Sequence, residues 1–201
     1  MFANICPQML CNLHRNTVKL IRMNTSFPAP HPVKLFIGML SQDVSLFDRI
    51  SERLRNSFGP VDMESPLWSW VHTDYYEKEM GKGLKRKFIF FQDLIGPGNI
   101  AGIKLKTIEL ENDYLNETGG RRINLDPGYL DSAKLVLVST KDFSHRIYLD
   151  RGIYGEVTLA YSGRDYQIFP FTYPDFRKPE YLDIFRKARE IYKGQTRGSG
   201  I

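Results

Sequence analysis

At 201 residues, 42% of them hydrophobic and 13% aromatic, the chain is long enough to build one domain with a real core and too short for two sizeable ones. No apolar run approaches the ~20 residues of a membrane helix; the longest, such as Leu135–Val138, are strand-sized. The formal net charge of +5 sits at the ends, because residues 43–174 hold 17 basic and 19 acidic side chains. Nucleic-acid binding through a basic face of the fold is therefore not favoured.

Residues 1–31 do not read as part of the domain. The segment has no clean hydrophobic period and ends in Ser26-Phe27-Pro28-Ala29-Pro30-His31-Pro32, whose prolines exclude helix and strand interiors. It reads as a loose leader, or as a start placed too early with Met23 as the true one. Both cysteines, Cys6 and Cys11, lie there, so no disulfide framework holds the domain and a cytoplasmic location fits. Cys6, Cys11 and His14 are three donors without a fourth, which do not make a zinc site. Deleting residues 1–22 is expected to leave the calorimetric melting temperature nearly unchanged. A loss of more than a few degrees would make the leader part of the core.

A single domain is expected over residues 32–193, with a frayed tail at 194–201. Val33–Leu40 reads as a buried strand. Asp43 then caps a helix that places Leu46, Phe47, Ile50, Leu54 and Phe58 at helical spacing and stops at Gly59-Pro60. A strand follows at Leu67–His72, then a short helix at Tyr75–Met80 with Asp74 and Glu77 as a capping pair. Lys87–Phe91 is a strand, and Pro97 opens a helix over Gly98–Leu115. Arg122–Leu125 is a strand ending in the turn Asp126-Pro127-Gly128. Four strands follow at hairpin spacing, at Lys134–Ser139, Ser144–Leu149, Ile153–Tyr161 and Tyr166–Phe169, before a closing helix at Pro179–Tyr192. The expected fold is α+β: a ferredoxin-like β-α-β-β-α-β first half continues into an antiparallel β meander, closed by the C-terminal helix.

Four polar clusters stand out. Lys104, Thr107 and Glu111 fall in a row inside the apolar arc of the 98–115 helix. Either the arc is wider than the buried stripe and the two charges pair with a neighbour, or the row lines a pocket. His72 to Glu77 gathers an imidazole, phenols and carboxylates, though Asp74 already has a role as a cap. Strand alternation puts Arg122, Asn124 and Asp126 on one face. The stretch Ser139–Arg146 holds hydroxyls, Lys141, His145 and Arg146, a composition suited to an anion or to an ordinary polar loop. There is no G-x-x-x-x-G-K-[ST] loop, no H-E-x-x-H, no C-x-x-C and no G-x-S-x-G.

Trp70 to Gly81, Ile103-Lys104-Leu105, Arg121 to Tyr129, Lys134 to Thr140, His145 to Leu149 and Phe171-Thr172-Tyr173-Pro174-Asp175 occur in an order that resembles the bacterial family catalogued as domain of unknown function 4416. The resemblance spans residues 33–193 and implies no mechanism. It does imply that the four clusters converge. Lys104, Glu111, Arg122, Asp126, Lys141, His145 and Arg146 are expected around one concavity, with Asn124 beside them and Asp74 at its rim. His145, Asp74 and Glu111 are the candidate catalytic groups, the others candidate ligand contacts. The expected occupant is a small anionic, phosphorylated or nucleotide-like compound. The alternative is a non-catalytic RNA- or protein-interaction module, whose mark would be exposed aromatics on an open sheet face. The sequence names no cofactor and no oligomeric state.

Overall fold

The computed structural model describes residues 28–70 and 77–197. The chain divides after Pro30, and the described core belongs to the unit His31–Ile201. Its strands are β1 (Val33–Ser41), β2 (Val61–Glu64), β3 (Trp68–Ser69), β4 (Lys85–Ile95), β5 (Asn124–Leu130), β6 (Lys134–Ser139), β7 (Ile147–Asp150), β8 (Ile153–Ser162) and β9 (Asp165–Ile168). The helices are α1 (Ser45–Phe58), α2 (Glu77–Met80), α3 (Ile100–Asn112) and α4 (Pro179–Thr196). All nine strands join one antiparallel sheet in the order β2-β4-β1-β5-β6-β8-β7, with β3 beside β4 and β9 beside β8. The fold is α+β, and the run β2-β4-β1-β5 is compatible with a ferredoxin-like first half.

The central strand explains the layering. Every residue of β1 is buried, as its nearly unbroken apolar run requires of a strand covered on both faces. Leu35, Ile37 and Met39 point one way, into a core with Leu46, Phe47, Ile50 and Leu54 of α1 and Ile100, Ala101 and Ile103 of α3. Phe36 points the other way, into a second core with Phe88, Phe90 and the Tyr181, Ile184, Phe185 and Ala188 face of α4. Helices therefore cover both faces of the sheet. Lys34, the one charge in β1, is fully buried and donates to Asp62 Oδ2 (2.6 Å) and to the carbonyl of Phe91 (2.9 Å).

Two local differences from the sequence reading shape the site. The expected Asp126-Pro127-Gly128 turn is instead the middle of β5, held straight by pairing with β1 along its whole length. Gly128 is required there: a Cβ would sit 2.5 Å from Phe36 Cζ and 2.5 Å from the carbonyl oxygen of Val136. Gly128→Ala is expected to destabilise the domain by about 1–3 kcal/mol, measured by urea unfolding. The strands after β5 are antiparallel, but β8 lies between β6 and β7 in place of sequential order. β7 stands at the end of the sheet's strand order. β2 was not expected, and of the expected strand at 67–72 only Trp68–Ser69 is strand, with 71 and 72 outside the described residues.

A cavity where the sheet parts

The β5–β6 ladder covers only Gly128–Leu130 against Leu135–Leu137. Beyond it the strands part. Pro127 is one reason: alternation turns its nitrogen towards β6, and that nitrogen carries no hydrogen. Leu125, two residues earlier, would be left with an unpaired N–H and C=O. Helix α3 satisfies both: Glu111 Oε1 accepts from the Leu125 N–H (2.6 Å) and Lys104 Nζ donates to the Leu125 carbonyl (2.7 Å). The row seen in the sequence is thus a buried clamp, with Lys104 and Glu111 3.9 Å apart and the Thr107 hydroxyl bonded to the Lys104 carbonyl.

The parting opens a cavity of about 550 Å³. Five cationic side chains line it: Arg86 of β4, Lys104 of α3, Arg121 before β5, and Lys141 and Arg146 between β6 and β7. Three carboxylates, Asp126, Glu156 and Asp175, face the same space, with Trp70, Phe143, Tyr173 and Phe176 as aromatic walls.

The charges are held from behind. Arg86 is buried and donates to Asp126 (3.1 Å) and Asp175 (3.5 Å), while its Nε has no hydrogen-bond partner. Arg121 makes a two-point contact with Glu79 (2.7 and 2.8 Å) and donates to Asn124 Oδ1 (2.7 Å), whose amide donates in turn to Asp126 (2.7 Å). Arg146 Nε donates to Glu156 (2.8 Å), its Nη1 to the Lys141 carbonyl (2.8 Å), and its Nη2 to the Tyr173 hydroxyl. Burial pushes the Asp126 carboxyl up, but the charges of Arg86 and Lys104 outweigh it and hold the group below the usual range. Burial raises Tyr173, so its phenol keeps its proton. Such fixed donors suit an anion and cost little reorganisation when one binds. Among the described residues no three His, Cys, Asp or Glu groups are arranged to hold a metal ion.

Lys104, Asn124, Asp126, Lys141 and Arg146 thus meet at one cavity. Glu111 lies behind Lys104 and is not in the lining. Arg122 turns outward to Asp43 (2.7 Å), and its neighbour Arg121 takes the inward position. His145 stands one layer back, with Nε2 2.9 Å from Glu156 Oε2. Asp74 lies outside the described residues. Arg86, Arg121, Glu156, Tyr173 and Asp175 escaped the sequence reading. Two signals were available: Arg86 alternates with Phe88 and Phe90 on one face of β4, and Glu156 stands inside an apolar strand.

Burial raises the Glu111 carboxyl above the ordinary carboxyl value of 4.5, opposed by Lys104. A carboxyl raised in the folded state binds more protons there than in the unfolded chain. Its contribution to stability therefore grows as pH falls from neutral towards 4.5. The stability of the wild type relative to Glu111→Gln is expected to rise over that window in urea unfolding at stepped pH. A flat difference would show that Glu111 is not raised.

A family model described as Domain of unknown function (DUF4416) matches residues 31–192. The chain belongs to this family. Neither the curated proteins nor the solved structures searched contain a match. The DUF4416 match takes in β1 through most of α4, and so every residue that lines the cavity. No described helix is long and apolar enough to cross a membrane.

Proposed function

We propose that the cavity between β5 and β6 binds a small anionic compound, of the phosphorylated kind, and that the domain either carries or transforms it. One observation carries this reading: among the described residues, five cationic side chains from four separate stretches of chain converge on one cavity, and one of the buried ones, Arg86, keeps an Nε without a hydrogen-bond partner. The volume lies in the range of small-molecule sites, roughly 300–1,000 Å³. The lining carries two more cations than carboxylates. Those carboxylates orient the guanidinium groups, and a bidentate guanidinium contact suits phosphate or carboxylate.

Burial of the sheet aromatics disfavours the RNA-module alternative. Phe36, Phe88 and Phe90 lie under α4 and are fully buried, which closes the central strands to bases and leaves Tyr148 of the edge strand β7 as an exposed sheet aromatic. A cytoplasmic location belongs to the same reading, supported by a domain without cysteine. The candidate proton carrier for a reaction is His145, one layer behind the lining on Glu156, with Tyr173, which holds its proton, as a donor facing the cavity.

The test is a thermal-shift panel of inorganic phosphate, pyrophosphate, sugar phosphates and citrate, run on wild type and Lys141→Glu. Lys141 is exposed at the cavity wall, so the variant should fold. At least one anion is expected to raise the melting temperature, as a ligand at 100 times its Kd adds about 2.7 kcal/mol, and Lys141→Glu should lose most of the shift. No shift from any anion, or an equal shift in the variant, would remove the proposal.

A further inference from the structure

Four rings lie in a row beside the cavity mouth. Phe143 and His145 are parallel within 3° at 6.0 Å between centroids. His145 and Phe171 are parallel within 11° at 4.7 Å, and Phe171 and Phe169 within 10° at 5.2 Å. Phe143 ends the row and also lines the cavity. It is 52% exposed, and Tyr173, across the Arg146 guanidinium, is 41% exposed. That guanidinium lies 4.9 Å from the Phe143 centroid and 6.0 Å from that of Tyr173.

Packing does not require this arrangement. Rings of this size are ordinarily covered, because each buries 150–250 Å² when it is. Here the end of an ordered stack is half exposed, beside a guanidinium fixed by Glu156, in a cavity whose lining also includes Arg86, Arg121 and Lys141. The half-exposed rings of Phe143 and Tyr173 thus share one lining with the buried cations Arg86 and Lys104. A simple anion such as phosphate would use only the interior.

We infer that the cavity's occupant is an anion that carries a planar aromatic ring, with the ring stacked at Phe143 and Arg146 and the charged group inside. The inference rests on the anion-binding reading above and names the class of compound that fits it. Stacking is tolerant of ring identity, since every base or phenyl group has a π face, so the row selects for a ring and not for one compound. The Phe143 ring and the Arg146 guanidinium supply this part of the affinity, and Arg86, Arg121 and Lys141 supply the anion's.

Calorimetric titration of the full chain separates the two parts. The probes are two matched pairs: adenosine 5′-phosphate with ribose 5-phosphate, and phenyl phosphate with inorganic phosphate. In at least one pair the ring-bearing member is expected to bind about tenfold tighter or better. Phe143→Leu, which keeps apolar bulk at an exposed site, should erase that gain and leave the ringless member's affinity unchanged. Phe143→Ala serves as the second variant. If ringless anions bind and a ring adds nothing in either pair, this inference fails and the anion site stands. An equal loss of both members in the Phe143 variants also overturns it, because the ring would then be shaping the cavity and not the ligand contact. If no probe binds, the anion-binding reading fails and takes this one with it.

Discussion

Glu156→Ala is expected to destabilise the domain by about 3–5 kcal/mol, the largest loss of any single charge removal around the cavity. Glu156 and Arg146 are both almost wholly buried, and the carboxylate accepts from the Arg146 Nε. Removing it leaves a guanidinium away from water with, among the described residues, the Lys141 carbonyl and the Tyr173 hydroxyl as its remaining partners. His145 loses its contact at the same time. Replacing both members by apolar residues, as in Arg146→Met with Glu156→Leu, should restore much of the stability while weakening the binding of ring-bearing anions. Urea unfolding of the three proteins measures this. A loss under about 1 kcal/mol for Glu156→Ala would be the value of an exposed pair and would contradict the burial described.

Phe185→Ala should cost about as much, 3–5 kcal/mol, for a different reason. The ring is fully buried and meets Phe36 at 5.4 Å, Phe88 at 5.2 Å, Phe176 at 5.6 Å and Phe90 at 6.0 Å. It holds α4 against the sheet, and Phe176 and Asp175, which line the cavity, precede that helix on the same chain segment. The variant should therefore lose stability and bind anions less well even where it stays folded. A change under about 1 kcal/mol, seen by calorimetry, would mean that α4 is not a structural layer. The covered sheet face would then no longer count against base stacking.

Much of the layering was legible in the sequence. The apolar run of β1, the helical spacing of Leu46, Phe47, Ile50 and Leu54, and the 181-184-185-188 face of α4 each follow from the repeat of their own element. The Lys104–Thr107–Glu111 row was visible too, because three polar residues inside an apolar arc are costly to bury without partners. What they bond to was not visible. The clamp exists because Leu125 lacks a strand neighbour on its β6 side, and that depends on where the β5–β6 ladder stops. Asp126-Pro127-Gly128 carried every local mark of a turn, yet pairing with β1 on one side overrides local preference. Alternation alone set Arg122 beside Asn124 and Asp126. β5 begins only at Asn124, so the period does not extend back to Arg122, and Arg121 turns inward. Arg86, Glu156 and Asp175 are far apart in sequence and meet only when β4, β8 and the segment before α4 are folded together, which no window of residues reveals.

The most direct measurement is a crystal structure of the chain grown with saturating adenosine 5′-phosphate. Density for the phosphate is expected between Arg86, Arg121 and Lys141, with the purine against Phe143. Density on another surface, with the space between β5 and β6 unchanged, would contradict it.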